Sequence, residues 1–265
     1  MSHGAIRVGI GGWNYEPWRG TFYPEKLPQA KELAYAAERL TAIEINSTYY
    51  STQKPESWRK WADAVPEGFV FTAKASRFCT NRRVLAEAGD SIAKFLGQGL
   101  TELGDRLGPI LWQFMPTKKF DREDFGAFLK LLPHEQGGRR LRHAVEVRHE
   151  SFRDPAFVDL ARDNGVAIVF ADHAEYPAIA DLTADFVYAR LQQSREEAAT
   201  GYDAAALDHW ADVARSWAGG HQPRGLDHVA PSAPAAKGRD VFLFFISGAK
   251  VRNPAAAQAL IERVG

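Results

Sequence analysis

Two short stretches of the chain share one arrangement of residues. Glu44 and Asn46 alternate with Ile43 and Ile45, and Glu146 and Arg148 alternate with Val145 and Val147. Along an extended backbone successive side chains point to opposite faces, so each stretch sends its apolar pair one way and its polar pair the other. Comparable segments end in Lys74, carry Gln113, run into Asp172-His173, and offer Tyr188 and Arg190. Charges on a buried face are costly unless they are paired, and nearly all of these come late in their segments, which marks a site. In such a site Glu44 and Glu146 would exchange protons, Lys74, Arg148 and Arg190 would hold an anion, and Asn46 and Gln113 would orient it. Lys74 could instead form a Schiff base if desolvation and neighbouring cations lowered its pKa; pairing with Glu44 or Glu146, which keeps it charged, is the expectation. The bland alternative is that these charges only neutralise one another inside the fold.

Other chemistries fare worse. Glu44, Glu146, Asp172, His149 and His173 could supply metal ligands, but Lys74, Arg148 and Arg190 would crowd the same place with positive charge. No metal is assigned, and no other cofactor is called for. A glycosidase-like carboxylate pair would need Glu44 and Glu146 about 5 or about 9 Å apart. The pattern S-x-x-K occurs three times, at Ser57–Lys60, Ser91–Lys94 and Ser247–Lys250, without its companion motifs, and G-x-S-x-G, H-E-x-x-H and the phosphate loop of nucleotide hydrolases are missing. Cys79, the single cysteine, has no adjacent His and reads as a small buried or loop residue.

Positioning the polar set requires several strands, and the chain supplies eight. Segments rich in Val, Ile, Phe and Tyr span 6–10, 42–47, 69–74, 109–114, 144–148, 166–171, 185–191 and 240–247. Amphipathic stretches at 31–40, 55–64, 87–107, 122–132, 155–164, 204–218 and 254–264 separate or follow them. Eight strand–helix repeats in about 250 residues have the length and rhythm of an α/β fold of the (β/α)8, TIM-type barrel class. The unit between strands six and seven is too short for a full helix. The whole chain, 1–265, reads as a single domain, with a surface loop at 219–239 rich in Gly, Pro, Ala and His. In this fold reactive groups sit where inward positions meet the C-terminal strand ends, which is where the polar set falls.

The loops beyond the strands add aromatic rings and cations. Trp13, Tyr15, Trp18, Phe22 and Tyr23 follow strand one, and Tyr49-Tyr50 follow strand two. Trp13 and Tyr15, nearest the strand end, are favoured to stack on a ligand; packing as a plug is the competing role. Arg77, Arg82, Arg83, Lys118, Lys119, Lys250 and Arg252 suggest an electropositive sector beside an acidic one, and Arg139, Arg140 and Arg142 belong to the far face. In sum, 33 Lys and Arg cancel 33 Asp and Glu, which disfavours wholesale attraction to nucleic acid or to membrane surfaces. The apolar run 241–246 is far too short to span a bilayer, and the opening residues lack a signal-peptide pattern, so a cytoplasmic location is expected.

Five motifs also carry a resemblance. Residues 11–24 (GGWNYEPWRGTFYP), 44–50 (EINSTYY), 69–75 (FVFTAKA), 107–113 (LGPILWQ) and 145–151 (VEVRHES) resemble, in order, the motifs of the DUF72 (YecE-like) family. The resemblance implies a TIM-type barrel and no particular reaction. It marks Trp13, Tyr15, Trp18, Glu44, Asn46, Thr48, Tyr50, Lys74, Gln113, Glu146, Arg148, His149 and Arg190 as positions that recur in the family. The chain departs from the family pattern where Thr80-Asn81 replaces Thr-His, where Gln192-Gln193 replaces His-Gly, and where Ile246-Ser247 replaces Asn-Asn. Together these readings assign Glu44, Glu146 and Lys74 as catalytic, and Trp13, Tyr15, Asn46, Thr48, Tyr50, Gln113, Arg148, His149 and Arg190 as substrate-binding. The expected partner is a small anionic ligand, phosphorylated or carboxylated, turned over by acid–base chemistry. Recognition of a nucleic-acid backbone or a flipped nucleotide ranks second, and a non-catalytic ligand-binding barrel third; no membrane partner is expected.

Overall fold

The computed structural model describes residues 3–231 and 238–265. Eight parallel strands form a barrel: β1 (Ile6–Gly11), β2 (Ala42–Ile45), β3 (Val70–Lys74), β4 (Leu107–Gln113), β5 (His143–Glu146), β6 (Ala167–Ile168 and Phe170–Asp172), β7 (Phe186–Leu191) and β8 (Asp240–Phe245). β6 is in two pieces, and the break closes the ring. Its first piece pairs with β5 and its second with β7, while β8 pairs with both β7 and β1. All eight predicted strands are present. Four end sooner than their apolar patterns suggest, at Ile45, Gln113, Glu146 and Phe245, where the chain turns into the loops of the barrel mouth.

Helices α1 (Glu32–Ala37), α2 (Pro55–Asp63), α3 (Arg77–Thr80), α4 (Gly89–Leu96), α5 (Arg122–Lys130), α6 (Pro155–Asp163), α7 (Ala204–Ala218) and α8 (Asn253–Val264) follow strands on the outside. α7 shows why: Leu207, Trp210, Ala211, Ala214 and Trp217 recur at helical spacing and are all buried. Asp121, Asp154 and Asp203 cap α5, α6 and α7 with their side chains. The continuous helix expected over 87–107 is broken instead. α4 ends at Leu96, Gly99 takes a left-handed φ of 108°, and the 3-10 segment Leu100–Arg106 is itself kinked at Gly104, whose φ is 60°. Between β6 and β7 no helix forms, in keeping with the short unit. Within the expected loop 219–239, residues 232–237 lie outside the described residues. The described part holds no helix or strand and is tied down where Asp181 accepts from the backbone N–H groups of Val229 and Ala230.

Two cores follow from the alternation. Ile43, Ile45, Val145 and Val147 face the helices within the larger apolar cluster. Val70, Leu111, Ala144, Val169, Phe186, Tyr188, Phe242 and Phe244 fill the barrel. Arg142 closes the lower end, 4.7 Å above the Phe242 ring and paired with Asp240 at 2.9 Å. The other far-face arginines are likewise paired, Arg139 with Asp105 and Arg140 with Asp185.

A buried histidine fixes the seam between β4 and β5 on the side facing the helices. Trp112 Nε1 can only donate, and it lies 3.1 Å from His143 Nδ1, so the ring proton sits on Nε2, 2.8 Å from the Pro133 carbonyl. Burial pushes the His143 pKa down to about 4. Below about pH 6.5 the unfolded chain takes up a proton that the folded imidazole refuses, so stability falls on acidification between about pH 6.5 and about pH 4. The loss is expected to approach about 1.4 kcal/mol per pH unit at its steepest. Urea midpoints measured across this window should fall less steeply for His143→Gln than for the parent chain; equal slopes would contradict the assignment.

Candidate functional site

At the top of the barrel interior, four charged side chains satisfy one another. Arg190 is fully buried and bonds Glu44 through two nitrogens, Nη2 to Oε1 at 3.0 Å and Nε to Oε2 at 3.1 Å. Its Nη1 binds Glu146 Oε2 and reaches Gln113 Oε1 at 3.3 Å. Arg148 donates to the other Glu146 oxygen at 2.6 Å and to Gln113 Oε1 at 2.8 Å. Tyr188 donates to Glu44 at 2.7 Å and lies 2.9 Å from Thr72 Oγ1. Burial, reinforced by Glu44, keeps the Tyr188 phenol protonated far above its usual range. Burial alone would raise the pKa of Glu146; Arg190 and Arg148 outweigh it and hold the carboxyl below its usual value. Two carboxylates and two guanidiniums thus cancel.

Lys74 is left over. The pairing expected between it and Glu44 or Glu146 does not form, because guanidiniums already occupy both carboxylates. Among the described residues Lys74 makes no ion pair, and its Nζ rests 4.4 Å above the Tyr49 ring. Burial, aided by Arg190 and opposed by Glu44 and Glu146, lowers its pKa to about 8. Across the mouth Lys250 is placed alike, 4.2 Å above the Tyr15 ring, with no ion pair among the described residues and a pKa lowered by burial. Both lysines line a cleft of about 650 Å³, together with Arg148 and the rim of Arg190. No Asp or Glu is among its described lining residues.

Of the other expected binding residues, Trp13, Asn46, Tyr50 and Gln113 line this cleft. Trp13 is braced edge-on by Trp61 at 5.3 Å, and Tyr50 stands out at the rim, 70% exposed. Three expectations are corrected. Thr48 is buried and donates to the Lys74 carbonyl at 2.6 Å, which fixes the end of β3 instead of facing the cleft. His149 caps the turn Glu150–Phe152 by accepting from Ser151 N and is not among the lining residues. Tyr15 supports Lys250 from behind, while Trp18 and Tyr23 are buried as a plug. Of the rim cations, Lys118 pairs with Asp124, Arg82 bonds the Phe78 and Glu87 carbonyls, and Arg252 bonds the Glu196 carbonyl. Lys118 is thereby neutralised, and the two guanidiniums are held on backbone carbonyls; none of the three lines the cleft.

The residues that sequence reasoning under-weighted are Lys250, Tyr49 and Ser247. Lys250 stood out only as one of several rim cations. Nothing in Tyr49-Tyr50 tells which ring turns inward, since the 3-10 turn Ser47–Tyr49 decides it. Ser247 is the one non-glycine with a positive φ, 59°, among the described residues, a strained conformation of the kind found at ligand sites. No group of three or more His, Cys, Asp or Glu gathers among the described residues as a metal's ligand set would. Cys79 is buried, and burial pushes its thiol up to about 12.

The family model for "protein of unknown function DUF72" matches residues 7–265. The UPF0759 protein YecE of Escherichia coli K12 is 27% identical over 149 residues, 56% of this chain and 50% of that protein, so the match spans half the length of this curated relative. Two DUF72 family structures superpose over nearly the full length. One, from Thermotoga maritima MSB8, gives a TM-score of 0.70 at 22% identity, covering 97% of each chain. The other, from Enterococcus faecalis V583, gives 0.71 at 17% identity, covering 99% of this chain and 98% of that one. The structure of SacUVDE shares the barrel more loosely, at a TM-score of 0.55 and 11% identity over 97% of this chain and 98% of that one. None of the described helices is long and apolar enough to cross a membrane. With its family model matched from β1 to the last residue and the barrel shared with these structures, the chain belongs to the DUF72 family.

Proposed function

We propose that this barrel is an enzyme that takes a small anionic substrate, phosphorylated or carboxylated, into the cleft at its C-terminal mouth and acts on it by acid–base chemistry. The observation that carries this is the cleft's charge pattern: Lys74 and Lys250 face it without an ion pair among the described residues, beside Arg148 and Arg190, whose charges Glu146 and Glu44 already balance. Among the described residues Lys74 and Lys250 have no ion pair to surrender, so an arriving anion gains their attraction without displacing a carboxylate. Glu44 and Glu146 are assigned a different task from the proton exchange their spacing suggests. Wrapped by Arg190 and Arg148, they fix the guanidiniums and hold Lys74 by longer-range attraction. Proton transfer falls to Lys74, whose pKa of about 8 lies close to the pH at which a group both gives and takes a proton effectively. Gln113 and Asn46 supply orienting amides, and Trp13 offers a flat apolar wall.

Sulfate, whose charge does not change near neutral pH, is a suitable probe. Calorimetry at about pH 7 should show one sulfate per chain, with affinity reduced about tenfold, or about 1.4 kcal/mol, in both Lys250→Ala and Lys74→Met. Lys54→Ala, an exposed position away from the cleft, should bind as the parent does. Equal affinity in all four proteins would overturn the assignment of the cleft.

The same probe carries a pH dependence. Only the ammonium form of Lys74 attracts an anion, so sulfate affinity should be full below about pH 8 and should fall as pH rises through that value. The fall centred on that value should be smaller in Lys74→Met, where Lys250 alone is left to titrate. A parent affinity that is flat between about pH 7 and about pH 9 would contradict the role of Lys74.

A further inference from the structure

We propose that the reacting group of the substrate is a carbonyl, and that Lys74 Nζ captures it as an imine while Lys250 and Arg148 hold an anionic group elsewhere on the same molecule. This rests on the anionic-substrate reading and narrows it to oxo acids and phosphorylated aldehydes or ketones. A lysine bound in an ion pair cannot be a nucleophile without first breaking that pair. Among the described residues Lys74 is free of one, because Arg190 and Arg148 take both neighbouring carboxylates. Its placement is nevertheless fixed from two sides. Thr48 Oγ1 donates to the Lys74 carbonyl at 2.6 Å, and the ring beneath its Nζ belongs to Tyr49, whose hydroxyl accepts from Asn81 Nδ2 at 3.2 Å. The amine therefore stands at the cleft wall, held by its backbone and resting on a π face, with its nitrogen making no hydrogen bond to a described residue.

The electrostatics raise the share of neutral amine. Burial and the adjacent Arg190 leave about a tenth of Lys74 unprotonated at pH 7, against well under a hundredth for an ordinary lysine. The neutral nitrogen would give its electron pair to the carbonyl carbon as the C=O π pair moves to oxygen. A proton passes from nitrogen to that oxygen, giving a carbinolamine. Loss of the hydroxyl and the second N–H proton as water then leaves the C=N bond. Atoms and charge balance with no oxidant or reductant. Lys250 faces the same cleft from the loop after β8, with Arg148 just beyond the end of β5, so both can meet a phosphate or carboxylate on the molecule that reaches Lys74.

The test uses pyridoxal 5′-phosphate, an aldehyde bearing a phosphate, with borohydride to reduce any imine to a stable secondary amine, followed by peptide mapping of the parent chain. One adduct per chain is expected, at Lys74, formed at least about tenfold faster than at any other lysine and slowed by saturating sulfate. Because the mapping is done on the parent chain, it does not depend on a variant's folding; Lys74→Arg should lose the adduct as a second check. Labelling of Lys74 no faster than of exposed Lys54 would overturn the proposal. If sulfate binds in the cleft while Lys74 stays unlabelled, the imine is refuted and the anion site stands. If sulfate neither binds nor slows labelling of Lys74, it is the anion site that fails.

Discussion

Arg190 binds two buried carboxylates that come from two other strands of the barrel, and the mouth is organised around that contact. Glu44 on β2 and Glu146 on β5 have no exposed surface, and an isolated carboxylate in such a place would neutralise or unfold its surroundings. A single guanidinium on β7 answers both, using its planar fork on one and its remaining nitrogen on the other. Such a cluster is a weak source of net stability, since apolar residues of like volume would fill the space as well. What it does provide is geometry. Breaking it by removing one partner would strand a charge, at a cost of about 3–5 kcal/mol, so the three strands are held in one relation at the level of the cleft floor.

The consequence of the clamp is its remainder. With two positive and two negative groups cancelled, Lys74 stands as an extra cation near a floor that is otherwise neutral, and Lys250 repeats the situation elsewhere in the cleft lining. The net charge of zero for the whole chain conceals this local excess. Some surface cations are spent on neighbours, as Lys118 is on Asp124; the two cleft lysines are set apart by lying inside the cleft on aromatic rings that accept a cation without neutralising it.

The barrel was legible because inward and outward faces alternate strictly along each strand. Ile43, Glu44 and Ile45 could be sorted by parity alone, and so could Val145, Glu146 and Val147. Strand ends were less legible, since Asn46 and Arg148 continue the alternation after the ladder has stopped. Pairing was not legible at all. Parity places Lys74, Arg148 and Arg190 on the same face, but reach and fork geometry decide which cation meets which carboxylate. Loop residues such as Thr48 and His149 were misplaced for a related reason: a residue just past a strand end can turn to cap the backbone as readily as to face a ligand. The departures from the family pattern also gain content. Asn81 Oδ1 and Gln192 Nε2, at positions where the family tends to carry histidine, are buried and make no hydrogen bond to a described residue. In this chain those two positions carry amides in place of titratable rings.

The state of Lys74 is the most direct point of attack. The ¹³C resonance of its Cε, followed by NMR from about pH 6 to about pH 11 and assigned by its loss in Lys74→Arg, reports the protonation of the amine itself. With both carboxylates held by guanidiniums, the midpoint should lie near 8. A midpoint at the ordinary lysine value of about 10.4 or above would mean that Glu44 or Glu146 is paired with Lys74 after all, and would contradict the clamp.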